Sequence, residues 1–320
     1  MSTAPKPRLL LHVGYHKTAT TWMQKHLFQP VHGFQQLATH QEISDRVERP
    51  ADLVFDPDPM RALIAERMES VAPGNVPVVS SEILSGHPYQ GGRDSATLAR
   101  RLAEIAPDAR ILFTIRAQDR ILPSVYMQYL LRGGTLSPER FFAGIKEPNY
   151  FGFDPVHFEY DRLIAFYQNL FGAEDIYVST QESLRRDMDS AISNLAQFAG
   201  ADLYNGLTLE ARKVQSASYP EYGVPIFRRI NYMQAFTRGQ FPSVDQARIP
   251  GPLYRGVGYM LRRDPVRRIM TGYKPVTDHI ATRFAGRFDE SNARLARLSR
   301  YPLDLDGYTA MIRPLSLSEA

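Results

Sequence analysis

The chain has 320 residues, 43% hydrophobic and 22% charged, an ordinary balance for a globular protein long enough to bury a sizeable core. It has no cysteine, which excludes disulfides, cysteine-ligated zinc and thiol catalysis and fits a reducing compartment. Net charge is only +4, yet residues 238–274 carry eight basic residues against Asp245 and Asp264, giving +6 and leaving −2 elsewhere.

The first apolar run, residues 8–13, reads as a buried strand. Its apolar part is about six residues long and is broken by Gly14-Tyr15-His16-Lys17, too short for a signal-peptide core. No stretch approaches the ~20 apolar residues of a membrane span. A cytoplasmic location is expected, with the inner membrane surface as one place where the basic segment could dock. Helical patterns follow over residues 20–29 (stopped by Pro30), 60–71, 95–106, 120–132 and 155–171. The last is punctuated by Asp154 as cap, Pro155 in the first turn and Gly172 just past the end. Between the helices, residues 76–80, 109–115 and 176–179 read as further buried strands.

After Gly200 the strand signal fades. Helices are expected over 222–236 and from about 276 to 299, with a Pro/Gly-punctuated basic stretch between them. Alternating strands and helices imply parallel pairing with right-handed crossovers. The expected fold is therefore α/β: a P-loop-like three-layer arrangement with a central parallel sheet flanked by helices, plus a C-terminal helical layer. A single domain over 1–320 is the simplest organisation, with its core at about 8–200 and its helical portion at about 201–320.

The most informative segment is residues 14–22, Gly-Tyr-His-Lys-Thr-Ala-Thr-Thr-Trp, directly after the first strand. A strand, a tight loop and a helix start put backbone N–H groups and the positive end of a helix dipole in front of an anion, and Lys17 adds a full charge. The run is not a Walker A loop, because only two residues separate Gly14 from Lys17 and no second glycine precedes the lysine. A shorter loop wraps fewer phosphates, so one 5′-phosphate bearing a transferable group fits better than a triphosphate.

A second pattern closes the third strand: Arg116 ends it and Ser124 follows eight residues later. A guanidinium fork can grip phosphate bidentately while a hydroxyl donates to another oxygen, although an arginine merely closing a sheet edge is also common. The second strand ends Val78-Val79-Ser80-Ser81-Glu82, which places Glu82 at the same sheet edge as Lys17. A carboxylate at that edge can activate a hydroxyl if burial raises its pKa; capping the following turn is the plain alternative.

Tyr15-His16-Lys17-Thr18-Ala19-Thr20-Thr21-Trp22 resembles the 5′-phosphosulfate loop of sulfotransferases that use 3′-phosphoadenosine 5′-phosphosulfate (PAPS), most closely the bacterial and carbohydrate-modifying branches. Arg116 with Ser124 is similar to the pair that binds the 3′-phosphate in that family. Glu182-Ser183-Leu184 and Phe288-Asp289-Glu290-Ser291-Asn292, followed by Asp304-Leu305-Asp306, resemble softer family signatures, so the likeness spans about residues 8–308. The glycine-rich adenine segment of the cytosolic small-molecule enzymes is absent; residues 212–216 could stand in its place.

The resemblance implies donor binding by His16, Lys17, Thr18, Ala19, Thr20, Thr21, Trp22, Arg116 and Ser124. It implies in-line transfer to an acceptor hydroxyl with Glu82 (or His87) as base, Lys17 on the leaving phosphate and adenosine 3′,5′-bisphosphate as product. Trp22 either stacks on adenine or is a core residue. No metal is expected, since His12 lies in a strand and His16 in the loop. The acceptor is expected to be a carbohydrate or glycolipid, with an anionic one suited to the basic segment. No motif supports nucleic-acid binding. A P-loop-type nucleotide kinase and a non-catalytic nucleotide-binding protein are the competing readings.

Overall fold

The computed structural model describes residues 8–147, 151–213, 219–238 and 252–308. Five parallel strands form one sheet in the order β2-β3-β1-β4-β5. They are β1 (Leu10–Gly14), β2 (Phe34–Gln36), β3 (Val76–Ser80), β4 (Arg110–Ile115) and β5 (Ile176–Thr180). In chain order the helices are α1 (Thr20–Trp22), α2 (His40–Ile43), α3 (Asp58–Met68), α4 (Ser95–Ile105), α5 (Gln118–Leu131), α6 (Pro138–Phe142) and α7 (Tyr160–Phe171). They continue as α8 (Gln181–Arg186), α9 (Met188–Ala199), α10 (Val224–Arg238), α11 (Pro252–Leu261), α12 (Asp264–Met270), α13 (Pro275–Arg283) and α14 (Asp289–Leu298). Helices cover both faces of the sheet, which is the expected three-layer α/β arrangement.

Side chains alternate along a strand, so each strand feeds two cores. Leu11, Val13 and Phe113 pack on one face with Leu98, Leu102 and Ile105 of α4 and Ile164 and Tyr167 of α7. Leu10, Val78 and Leu112 pack on the other with Met23 and Leu27 after α1 and Ile192 and Leu195 of α9. This two-sided burial explains why β1, β3, β4 and β5 appear in the sequence as short continuous apolar runs.

Three expectations need correction. The edge strand β2 was not foreseen, because Phe34-Gln35-Gln36 is short and two of its residues are only half-buried glutamines. The helix expected over 155–171 is split: Asp154 Oδ1 accepts from Val156 N at 2.9 Å and caps a 3₁₀ turn, Pro155–Phe158. The chain then turns at Glu159 (φ −83°, ψ 79°), and α7 starts only at Tyr160. The long helix expected from about 276 is also two helices, α13 and α14, separated where Gly286 takes φ +67°. Phe284 and Phe288 on either side of that glycine are both buried, so the bend lets both rings reach the core.

Candidate active site

The loop after β1 springs from the middle of the sheet, and Tyr15 N continues the ladder by donating to Thr114 O at 3.0 Å. Gly14 is required by space. A Cβ there would lie 2.5 Å from Thr20 Oγ1, 2.7 Å from Thr114 Oγ1 and 2.8 Å from His12 Nε2. Beneath it, His12 Nδ1 lies 2.7 Å from Ser80 Oγ and its Nε2 lies 3.0 Å from Thr114 Oγ1, linking β3, β1 and β4. Burial lowers the His12 pKa to about 3, so the ring is neutral and offers one donor and one acceptor. The chain of contacts continues from Thr114 Oγ1 to Thr18 Oγ1 (2.8 Å), and Thr18 Oγ1 donates to Tyr15 O (2.5 Å). Thr18 therefore locks the loop with its hydroxyl, and only its backbone N–H remains for an anion.

Lys17 and Ala19 adopt left-handed backbone, φ +70° and +72°, with Thr18 between them outside that region. Such residues cost about 1–2 kcal/mol each and are kept where the fold needs an unusual loop. Alternation of this kind gathers successive N–H groups into a concavity suited to an anion. Ala19 is the N-cap of α1 and its side chain provides no cap, so the first N–H groups of the helix receive no side-chain oxygen there. Thr20 is buried with its hydroxyl unpartnered among the described residues, and Thr21 is exposed.

Lys17 Nζ donates to Gln128 Oε1 on α5 at 2.8 Å. Burial lowers its pKa, Glu82 opposes that shift, and Arg132 and Arg116 reinforce it. Glu82 opens the 3₁₀ turn Glu82–Ser85 directly after β3, half-buried, and its carboxylate has no hydrogen bond among the described residues.

At the end of β4, Arg116 Nη1 donates to Ser124 Oγ at 3.0 Å, so the two residues eight apart do meet. Arg116 Nε is buried without a partner among the described residues, and burial, then Arg185, hold the guanidinium below its usual pKa. Among the described residues the guanidinium thus keeps an unused donor at Nε. A buried network supports it from behind. Tyr160 Oη donates to Arg116 O (2.7 Å), and Glu182 accepts from Ala117 N (3.4 Å), Arg120 Nη1 (3.3 Å) and Tyr308 Oη (3.2 Å). Asn292 Nδ2 donates to Tyr308 O (2.6 Å), and Gln118 Nε2 donates to Asn292 Oδ1 (2.9 Å). Glu182 and Asn292, both noted in the sequence as softer signatures, thus converge on the residues that carry Arg116.

Helix α5 lines the site with one polar stripe. Arg120, Ser124 and Gln128 of α5 and Arg132 at its C-cap recur every fourth residue and reach, in order, Glu182, Arg116, Lys17 and His87. Gln128 and Arg132 were missed by sequence reasoning, although their i, i+4 spacing from Ser124 was there to be read.

His87 is buried between two donors: Tyr89 N donates to Nδ1 at 3.4 Å, and Arg132 Nη1, which can only donate, lies 3.2 Å from Nε2. Its lone pair is therefore already engaged. Burial and then Arg132 keep the ring neutral and a weak base. His16 is buried against it, with ring centroids 5.2 Å apart, and its Nδ1 has no partner among the described residues. Trp22 is half-buried; its Nε1 donates to Ala211 O at 2.8 Å, pinning the 207–212 segment to the loop helix. Arg212 pairs with Asp189, and residues 214–216 of the suggested adenine segment lie outside the described residues. Among the described residues no group of three or more His, Asp or Glu could hold a metal ion.

No family model and no curated protein matches the chain. Among solved structures it is similar to a sulfotransferase from Alicyclobacillus acidocaldarius, at 20% identity and a TM-score of 0.45, over 76% of this chain and 100% of that one. It is also similar to a mouse sulfotransferase complexed with PAP (10% identity, TM-score 0.38, 92% of this chain and 89% of that one). A sulfotransferase domain from the curacin biosynthetic pathway matches at 10% identity and a TM-score of 0.39, over 82% of this chain and 99% of that one.

Proposed function

We propose that the protein transfers a sulfuryl group from PAPS to an acceptor hydroxyl on a carbohydrate or glycolipid. The observation that carries this reading is that two groups of donors able to cradle an anion lie at the ends of neighbouring strands. One is the Gly14–Trp22 loop after β1, and the other is Arg116 with Ser124 after β4. Two cradles suit a nucleotide with phosphate at both its 5′ and 3′ positions, and ATP has only the first. The unpartnered Arg116 Nε and the α1 start without a side-chain cap fit such a ligand.

On this reading His16, Lys17, Thr18, Ala19, Thr20, Thr21 and Trp22 hold the 5′ end, and Arg116 and Ser124 the 3′-phosphate. PAPS supplies the activated sulfuryl group. Lys17, steered by Gln128, presents positive charge where the departing phosphate gains negative charge, the place where preorganised donors act most strongly. Glu82, without a hydrogen bond among the described residues and acting electrostatically on Lys17, takes the acceptor proton. A kinase would want a second glycine before Lys17, and a non-catalytic binder would have no use for a carboxylate left without a hydrogen bond among the described residues.

The test incubates the protein with radiolabelled PAPS and extracts of glycans and glycolipids, with Lys17→Ala as the blank. Label should move into one of these fractions. Transfer from ATP with magnesium, and none from PAPS, overturns the proposal.

A further inference from the structure

The helical layer beyond residue 251 has two faces, and among the described residues only one packs on the core. Inward, the Tyr254 ring stacks on Phe227 with centroids 4.2 Å apart, and Leu261 O accepts from Tyr222 Oη at 2.6 Å. Val257, Val266 and Met270 pack on the same core. Gly258 lies so close to Tyr219 that a Cβ would sit 2.0 Å from its ring. With that face fully packed, α11, α12 and the turn after them still expose Leu253 (54%), Tyr259 (64%), Met260 (65%), Ile269 (82%) and Tyr273 (48%).

These apolar side chains sit among cations. Residues 252–274 contain six basic residues (Arg255, Arg262, Arg263, Arg267, Arg268 and Lys274) against Asp264 alone, a net +5, and all six are exposed. Arg267 spends its charge on Asp264 at 2.9 Å, and Arg262 lies over the Tyr219 ring at 4.9 Å. Arg263 lies over Tyr259 at 5.2 Å, an aromatic and a cation presented together to solvent.

We infer that α11, α12 and the turn through Lys274 form a docking surface for an anionic lipid bilayer. A soluble polyanion would satisfy the arginines but leave Met260, Ile269 and Leu253 in water. A bilayer interface takes both: apolar and aromatic side chains enter the acyl boundary while arginines and Lys274 meet the lipid phosphates. Each basic residue close to an anionic surface strengthens partition about fivefold. No helix among the described residues is long and apolar enough to cross a membrane, so this contact lies on the surface.

The full chain is sedimented with vesicles of phosphatidylcholine alone, and of phosphatidylcholine and phosphatidylserine in equal parts. Binding is expected to the mixed vesicles and not to the neutral ones. Arg263→Glu with Arg268→Glu should weaken it at least a hundredfold. Met260→Ser with Ile269→Ser should weaken it about tenfold or more, with melting temperatures unchanged in both variants because these side chains face solvent. Absence of binding to the mixed vesicles overturns the proposal. So does an unchanged affinity in the serine variant, or heparin binding as tight as the vesicle binding; either marks a polyanion contact instead. The test uses no donor and no acceptor, so it stands apart from the transfer reaction.

Discussion

Replacing Glu82 and His87 in turn separates the two candidate bases. The Glu82 carboxylate has no hydrogen bond among the described residues and acts electrostatically on Lys17. The His87 ring, by contrast, sits between two donors, Tyr89 N at Nδ1 (3.4 Å) and Arg132 Nη1 at Nε2 (3.2 Å), so its one lone pair is engaged. Glu82→Gln keeps the shape and removes the base, so kcat should fall about 10²–10⁴-fold, the usual worth of a positioned general base. It also removes a negative charge next to an anion site, so adenosine 3′,5′-bisphosphate should bind as tightly as before or tighter. His87→Gln keeps an acceptor for Arg132 and should change kcat less than about tenfold. His87→Ala removes the acceptor that half-buried Arg132 and buried Tyr89 N face and should cost about 1–3 kcal/mol of stability, lowering Tm by several degrees. The assays are steady-state kinetics, bisphosphate titration and a thermal melt on each variant. A silent Glu82→Gln beside a hundredfold loss in His87→Gln at unchanged Tm would refute the reasoning and make His87 the base.

Lys17→Ala should lower turnover about 10²–10³-fold while circular dichroism and Tm stay as in the parent protein; unchanged turnover would remove Lys17 from the chemistry. Gly14→Ala should destabilise the protein by about 1–3 kcal/mol in a urea melt, since its Cβ meets three buried atoms at 2.5–2.8 Å and none is the end of a long side chain. Stability should also respond to pH above the carboxylate range. Burial depresses the His12 and His157 pKa values to about 3, whereas the unfolded chain takes up these protons near pH 6.5. Their contribution is complete above pH 6.5 and is lost as pH falls toward 3, at about 1.4 kcal/mol per pH unit for each histidine. A urea midpoint that stays flat from pH 6.5 to 4.5 would contradict the buried neutral rings.

Four of the five strands were legible because burial on both faces writes a strand as a plain apolar run. β2 was not, because an edge strand of three residues with two glutamines carries no such pattern. Helix bodies were legible from their periodicity, but the breaks at Glu159 and Gly286 were not. Both are set by tertiary partners: Glu159 by Arg162 and Arg287, Gly286 by the two phenylalanines it turns inward. In the site, residue types and spacing foretold that Arg116 meets Ser124 and that Lys17 and Glu82 share an edge. Composition alone could not show that the Thr18 hydroxyl would be spent on Tyr15 O, or that Arg132 would occupy His87. Those facts depend on which rotamers the packed loop allows.

The most direct test of the two-cradle site compares adenosine 3′,5′-bisphosphate with ADP in a thermal-shift titration without magnesium. In the proposed reading Arg116 and Ser124, which meet at 3.0 Å, hold a 3′-phosphate that ADP lacks, and charge-assisted hydrogen bonds contribute about 1.5–3 kcal/mol each, tenfold or more in affinity. The bisphosphate should therefore raise Tm clearly more than ADP does, and in Arg116→Ala this preference should vanish while the ADP response stays the same. Equal stabilisation by the two nucleotides, or binding that requires magnesium, would contradict the sulfuryl-transfer assignment and favour a kinase.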